Sequence, residues 1–578
     1  MLLLSLRRWS FLSLTLIKPR VLTRGMARIT MATQALNHRG GRPQHPSGGS
    51  SPSAGAAESG GVPYRWLILV GLITAAVMEV LDTTIINVAL PRMAGNLNAT
   101  ADEIAWVATG YILSNVIVLP MTAWLAQRFG RKRYLTFSIM LFIVASFFCG
   151  ASKSLNEVIF WRIIQGAGGA ALLSTAQATL RQIFPKEQQG LVQAIFILGI
   201  IMAPTLGPTV GGYITDNYNW PWVFFVNIPI GLIAVFLVMT FLHDLPGAKK
   251  AGPIDIPGIL LLTVGLGSLQ YVLEEGQRDD WFDSALIVRL SILAVVALGA
   301  MFAWELSPRN KAPVVDFHVL KNRDLAAGLI LFLALGFGLY GAIFIFPQFT
   351  QNILHFSPTA TGLVLLPGGV ATGISAMLCG RMMNGAKPLV DPRVLIFFGM
   401  AIFIASMSML GHLSIQSGEP DTRLALIIRG FGLGFLFTPI NFIVYASLKP
   451  ATVQQASGLI NLARQLGGSF GIAVLNTYIY NQAAYHRANL VSHLHAGNIY
   501  YDQSLAGATR NLVQHGLSLA DAQIGALHSL DGRVTAQAFT MSYNDGFLLL
   551  GVAFACATPA VFLLGRMKKA APGGGGGH

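Results

Sequence analysis

The sequence predicts an all-α polytopic membrane protein, on three observations. Hydrophobic residues make up 53% of the 578 and charged residues only 11%, against about 25% charged in a soluble domain. Apolar runs of about twenty residues, each long enough to cross a bilayer as a helix, recur from Trp66 to Leu564. The basic residues behind the formal charge of +14 gather in alternate loops, as the positive-inside rule requires; that placement argues against a nucleic-acid partner. Cys149, Cys379 and Cys556 all lie in apolar runs, with neither a disulfide framework nor a metal-ligand spacing among them.

Taken in order, residues 1–63 read as a disordered cytoplasmic tail, because Arg39–Val62 is rich in Gly, Ser, Pro and Ala. Its apolar piece, Phe11–Ile17, is too short to span and has no convincing cleavage site for a signal peptide. Met26 and Met31 are alternative translation starts. Fourteen spans are expected, at 66–90, 104–125, 133–150, 157–180, 190–213, 221–242, 256–273, 284–304, 325–347, 361–383, 393–413, 423–446, 455–479 and 543–565. With the N-terminus in the cytoplasm, Arg128, Arg131, Lys132, Arg133, Arg181, Lys186, Lys249, Lys250, Arg309, Lys311, Lys321, Arg323, Lys387, Lys449, Lys568 and Lys569 fall inside. The acidic run Glu274, Glu275, Asp279, Asp280 and Asp283 falls outside, and both termini are cytoplasmic.

Residues 480–542, between spans 13 and 14, are polar and lie on the outer side. Apolar spacings around Ala483–Leu494 and Ala520–Leu530 suggest short amphipathic helices. They form either a cap over the outer face or a docking surface for a partner. The Gly-rich stretch at 568–578 is a flexible tail.

The chain is organised around span 1, Val77–Pro91, which carries Glu79 and Asp82 three residues apart, then Asn87, and closes on Pro91. The spacing puts both carboxylates on nearly one helix face. A carboxylate inside the bilayer is costly, so it faces a protein interior or a watery path and moves ions or protons; the plain alternative is a structural acid satisfied by a neighbouring helix.

Several motifs carry a resemblance. LDTTIINVALP at Leu81–Pro91 resembles the first-span motif of fourteen-span drug–proton antiporters of the major facilitator superfamily, the EmrB/QacA type. AWLAQRFGRKRYL at Ala123–Leu135 is similar to that superfamily's loop between spans 2 and 3, and RIIQGAGGA at Arg162–Ala170 to its fourth-span motif. LGPTVGGY at Leu206–Tyr213 resembles the antiporter motif of span 5, and WPWVFFVNIPIG at Trp220–Gly231 also fits. The likeness runs from Trp66 to Arg566.

The resemblance implies the major facilitator fold: six-helix lobes at 64–243 and 322–567, the second including the outer loop, with a two-helix insert and its linkers at 244–321. It also implies alternating access about a central cavity, a bacterial inner membrane, and a tripartite system with an EmrA-like periplasmic adaptor and an outer-membrane channel.

Depth singles out a pair. At about 1.5 Å per residue, Asp82 lies roughly 24 Å along the outward-running span 1, and Arg162 roughly 8 Å from the outer edge of the inward-running span 4. Asp82 and Arg162 are therefore expected to interact until substrate or opening of the cavity disturbs them. Glu79, nearer the midplane, is a second proton-coupling candidate that rests on its position alone.

Gly207, Gly211 and Gly212 permit close helix approach and Pro208 bends the helix; the resemblance gives this bend the role of favouring exchange over leak, and ordinary tight packing is the alternative. Gln165 and its neighbouring glycines admit the same two readings. Ala123 and Gln127 stand where the superfamily's loop carries glycine and aspartate, so a charge relay through that loop is not expected. In the second lobe Arg464 and Arg429 are membrane cations that line a cavity or pair with carbonyls or a carboxylate. Span 9 carries Phe337, Tyr340, Phe344, Phe346 and Phe349, with Gln348, an aromatic face that binds lipophilic molecules or cations or simply packs. With Asn87 and Gln165 these complete the expected substrate cavity.

The function expected is proton-driven export of hydrophobic or amphipathic drugs and toxic compounds, with protonation of Asp82, aided by Glu79, driving the return step. A dedicated exporter of one metabolite or siderophore remains open. No nucleotide-binding loop stands outside the spans, so ATP is not the expected energy source; the resemblance implies the proton gradient instead, and no cofactor or metal is expected. No cluster of His, Asp or Ser at one membrane face suggests an enzyme, and neither tail suggests a sensor domain.

Overall fold

In a computed structural model, residues 64–185, 188–243, 252–383, 390–449, 452–495 and 497–565 are described. The two expected tails, and the loop lysines Lys186, Lys249, Lys250, Lys387, Lys568 and Lys569, lie outside them. Among the described residues the chain is α-helical, with short 3-10 turns and no strand.

The first lobe comprises α1 (Arg65–Leu97), α2 (Ala101–Val118), α3 (Thr122–Phe129), α4 (Arg131–Ala151), α5 (Leu155–Ile183), α6 (Gln189–Asn217), α7 (Trp222–Phe225) and α8 (Asn227–Phe241). The insert is α9 (Ile256–Glu275) and α10 (Ala285–Glu305). The second lobe follows as α11 (Arg323–Asn352), α12 (Pro358–Met383), α13 (Pro392–Leu410), α14 (Glu419–Ala446), α15 (Val453–Ser492), α16 (Ile499–Gln514) and α17 (Leu519–Ala557).

Polar residues at the loops set the helix starts. Thr100 and Glu103 form a reciprocal capping box at α2, each side chain accepting from the other's backbone N–H. Ser154 caps α5 and Asn322 caps α11. Expected span 1 ended at residue 90, just before Pro91, but α1 continues to Leu97 with Pro91 inside it. Proline removes a single backbone donor, and the apolar turns on either side keep the helix going.

Among the described residues, twelve helices are long and apolar enough to cross a membrane, or thirteen if the two segments of α6, Gln189–Pro204 and Thr209–Thr215, bent by 40°, count as one span. The expected thirteenth span, at 455–479, lies in α15 and is not among them. Its Gln454, Ser457, Asn461 and Arg464 are all buried; they lower its apolarity because they face protein, not lipid.

The outer segment 480–542 also differs from expectation. The stretches around Ala483–Leu494 and Ala520–Leu530 are not separate helices: α15 runs on through the first and α17 begins in the second. Between them lies α16, which packs on α17. An alanine-rich register lets both helices continue beyond the expected spans, since alanine is the best helix former.

Within the first lobe α1 packs on α5, α6 and α8, and α4 on α5 and α8. In the second, α11 packs on α15 and α17, and α14 on α12 and α13. The lobes meet along α6 and α12, and again where α15 reaches α2 and α5. The insert helix α9 lies against both α2 and α15. Gln270 on α9 donates to Ser469 Oγ at 2.8 Å and Trp281 Nε1 to Thr477 Oγ1 at 2.9 Å, while Thr109 donates to Glu275 Oε1 at 3.4 Å. The insert is thus bonded to both lobes. At its other end Asp255 caps Gly258 and accepts from Trp304 Nε1 and Asn310 Nδ2, tying α9 to α10 and the linker.

Candidate functional site

Two helices must approach closely for α1 to present its acids to the lobe interior. A Cβ on Gly207 would stand 2.7 Å from Thr84 Cβ, and one on Gly211 would stand 2.8 Å from the Ile85 carbonyl oxygen. The glycines of LGPTVGGY therefore fit α6 directly onto the turn of α1 that follows Asp82. Gly212 has more room, with Thr359 Oγ1 at 3.7 Å as its nearest contact. The side chain of Pro208 lies outside the described residues. On the other side, a Cβ on Gly231 would meet Ile143 Cγ1 at 2.5 Å and Met78 Sδ at 3.0 Å, so α8 is seated tightly on α4 and α1.

Asp82 is 1% exposed. Its Oδ2 accepts from Arg162 Nη1 at 2.5 Å. Its Oδ1 accepts from Gln165 Nε2 at 3.0 Å and from Asn227 Nδ2 at 2.6 Å. The arginine is held in turn: Nε donates to the Val107 carbonyl at 2.9 Å and Nη1 to Gln165 Oε1 at 2.8 Å. Its guanidinium carbon lies 4.4 Å from the centroid of the Tyr111 ring, a cation–π contact. Ser146 Oγ accepts from Gln165 Nε2 at 2.7 Å and donates to the Phe142 carbonyl. A buried ion pair offsets its desolvation only when extra hydrogen bonds fill the remaining lone pairs and protons. Here α2 supplies one through the Val107 carbonyl, α5 through Gln165 and α8 through Asn227.

The expected contact between Asp82 and Arg162 is therefore present. Gln165, expected on a cavity wall, is instead fully buried in the shell of Asp82, because its amide can donate to the carboxylate while accepting from the arginine. Asn227 was not singled out in the sequence. The signal available was NIPIG at Asn227–Gly231: Pro229 cannot donate to a helix continuing from α7, and the break between α7 and α8 turns the first side chain of α8 inward.

Glu79 is 8% exposed and sits apart from this network. Its Oε1 accepts from Asn115 Nδ2 at 3.4 Å and its Oε2 from the Leu173 N–H at 3.1 Å. Arg464, expected to line the cavity or to pair, is buried on α15. Arg464 itself donates from Nη2 to Asn461 Oδ1 at 2.8 Å.

Of the other expected cavity residues, Asn87 is exposed, and Tyr340, Phe344 and Gln348 are half-buried. Tyr340 lies against Gly468, where an added Cβ would be 2.5 Å from its ring, and Gln348 Oε1 accepts from Tyr543 Oη at 3.4 Å. The neighbouring Phe346 and Phe349 are core residues. Arg429 is buried with Nε and Nη1 lacking hydrogen-bond partners. Among the described residues no three His, Cys, Asp or Glu side chains gather as metal ligands.

A second polar cluster joins the lobes at the C-terminal end of α5. Ser457 Oγ donates to the Ser174 carbonyl at 2.7 Å and Gln454 Nε2 to Thr175 Oγ1 at 3.3 Å. Gln177 Oε1 accepts from Asn461 Nδ2 at 3.1 Å and from Tyr445 Oη at 3.3 Å. Arg181 Nη2 donates to the Asn441 carbonyl at 3.2 Å while its guanidinium lies 4.8 Å from the Tyr445 ring centroid.

Comparison with known proteins places this geometry in context. The Major Facilitator Superfamily profile matches residues 72–472. The chain is 34% identical over 494 residues to the multidrug export protein EmrB of Haemophilus influenzae, covering 84% of this chain and 93% of that protein. It is 32% identical over 519 residues to the fatty acid resistance protein FarB of Neisseria gonorrhoeae, covering 90% and 99%. Among solved structures, the human organic anion transporter MFSD10 aligns with a TM-score of 0.53 at 14% identity, over 85% of this chain and 100% of that one; at that identity the likeness concerns the fold.

Proposed function

This chain belongs to the major facilitator superfamily of multi-pass membrane transporters, and on that premise we propose that it exports hydrophobic and amphipathic compounds, drugs among them, in exchange for protons. The observation that carries the reading is the buried Asp82–Arg162 pair. A carboxylate in a membrane helix is costly and is kept where it moves ions or protons. Asp82 has one charge partner and two amide donors, so protonation removes the ion pair and loosens α5 from α1. Glu79, near the seam between the lobes, is the second proton carrier. The names of relatives, a multidrug export protein and a fatty acid resistance protein, support a lipophilic cargo.

The cluster of Ser174, Thr175, Gln177 and Arg181 with Asn441, Tyr445, Gln454, Ser457 and Asn461 lies at the end that the basic loops assign to the cytoplasm. We read the present conformation as closed to that side. Proton binding at Asp82 favours the conformation in which these bonds part and the cavity opens inward, which is alternating access by rocking of the lobes. The outer helices α15, α16 and α17 provide the surface on which an EmrA-like adaptor, leading to an outer-membrane channel, would dock in the bacterial inner membrane.

The test is flux of a lipophilic fluorescent cation in proteoliposomes under an imposed pH gradient. Wild type is expected to accumulate it uphill, and Asp82→Asn to bind it without gradient-driven flux. Gradient-driven flux surviving in Asp82→Asn would remove Asp82 from proton coupling.

A further inference from the structure

Asn227 completes the shell of Asp82 in an unusual way. Its side chain is fully buried. Nδ2 donates to Asp82 Oδ1 at 2.6 Å and reaches Ser146 Oγ at 3.5 Å. Its Oδ1 is buried with no hydrogen-bond partner. A buried acceptor left unmade costs free energy, so an orphan beside the carboxylate requires a reason.

The other donors to Asp82 are fixed. Gln165 cannot turn its amide over, because its Oε1 accepts from Arg162 while its Nε2 serves both Asp82 and Ser146. Arg162 has donors only, and Nε is committed to the Val107 carbonyl. The titratable and charged groups around Asp82 are Arg162 on α5, Tyr111 on α2, Cys149 on α4 and Glu79 on its own helix. The groups bonded to Asp82 Oδ1 are Gln165 Nε2 and Asn227 Nδ2. Of these two amides, Gln165 has its oxygen committed to Arg162, and Asn227 carries an acceptor without a partner.

We propose that Asn227 is the positioning residue that holds Asp82 in both protonation states, by turning its amide over when the proton arrives. With Asp82 ionised, Nδ2 faces the carboxylate, as observed. A carboxylic acid presents an O–H donor instead. A half-turn of the amide brings Oδ1 to accept it and fills the orphan acceptor. The step is one proton taken up on a carboxylate oxygen and one torsional flip, with no bond broken in the asparagine. Because Asn227 is the first residue of α8, next to the break after α7, the flip also transmits the protonation state of Asp82 to span 6. This inference rests on the proposed proton-coupling role of Asp82.

The test combines infrared difference spectroscopy with transport, on purified protein in lipid with 13C-labelled asparagine. Lowering the pH is expected to produce a carboxylic acid band that Asp82→Asn lacks, together with a shift of an amide C=O band to lower frequency that both Asp82→Asn and Asn227→Leu lack. The isosteric Asn227→Leu keeps the volume, and Asn227→Ala serves if leucine disturbs folding. In either variant the pH profile of exchange should move to higher pH by about half to one unit. The reason is that the lost bond to the carboxylate is charge-assisted and about twice as strong as the lost bond to the acid. An acid band at Asp82 with no asparagine band shift and an unmoved pH profile would overturn the role of Asn227 and leave the antiport reading intact. Absence of any acid band assignable to Asp82 across the working pH range would overturn both.

Discussion

Arg162 Nη1 lies 2.5 Å from Asp82 Oδ2, across 80 residues of chain, with both side chains 1% exposed. Removing one partner of such a pair leaves an uncompensated buried charge, which costs about 3–5 kcal/mol. Arg162→Ala should therefore lower the melting temperature of the purified protein sharply. Arg162→Gln combined with Asp82→Asn, which leaves neither charge, should recover most of that loss without recovering coupled transport. Equal melting temperatures for wild type and Arg162→Ala would contradict the pairing.

The fit of α6 on α1 is set by backbone. A Cβ at position 211 would meet the Ile85 carbonyl, which cannot turn away as a side-chain tip can. Gly211→Ala should push the helices apart at a cost of about 1–3 kcal/mol, leave a folded protein, and raise proton leak in substrate-free proteoliposomes. An unchanged leak would show that the close approach serves packing alone.

Gln177 joins the lobes by accepting from both Asn461 and Tyr445. At about 0.5–1.5 kcal/mol for each of the two bonds, Gln177→Ala should shift the lobe equilibrium roughly 5- to 140-fold toward the form open at this end. Spin labels on the exposed Arg128 and Lys449 would report it as a longer mean separation than in a labelled wild-type control. An identical distance distribution would contradict a gate at this cluster.

Glu79 is bonded more loosely than Asp82, by Asn115 and by the Leu173 N–H. Glutamine can replace one of those acceptors but turns an amide donor toward the other donor, a cost of about 1–3 kcal/mol. Glu79→Gln should stay folded and still exchange substrate for protons, with fewer protons moved per substrate. A wild-type ratio in this variant would reduce Glu79 to a structural acid.

What was legible in the sequence follows from charge and apolarity. Asp82 and Arg162 stand out because a charge in an apolar run is expensive, and helical rise alone placed them at one depth. The antiporter-motif glycines stand out because nothing else lets backbones touch. Asn227 did not, because an uncharged amide barely lowers the apolarity of a span and its importance lies in a tertiary contact with α1. Gln165 was visible but misplaced: sequence shows that an amide is present, not whether it faces a cavity or a carboxylate. The polar face of α15 hid that span from a test of length and apolarity, since Gln454, Ser457, Asn461 and Arg464 meet the other lobe or each other. In the outer segment, turn residues such as Gly497 and Gly516, both at positive φ, bracket α16, whereas the continuation of α15 and α17 beyond the membrane depends on their packing together.

The most direct test of proton coupling at Asp82 runs the exchange backwards. Proteoliposomes loaded with a lipophilic substrate, diluted into substrate-free buffer with no pH gradient imposed, are followed with an internal pH-sensitive dye. Wild type should move protons against the outward flow of substrate and acidify the lumen, and Asp82→Asn should bind substrate with no pH change. A substrate-driven pH change in Asp82→Asn as large as in wild type would contradict the account.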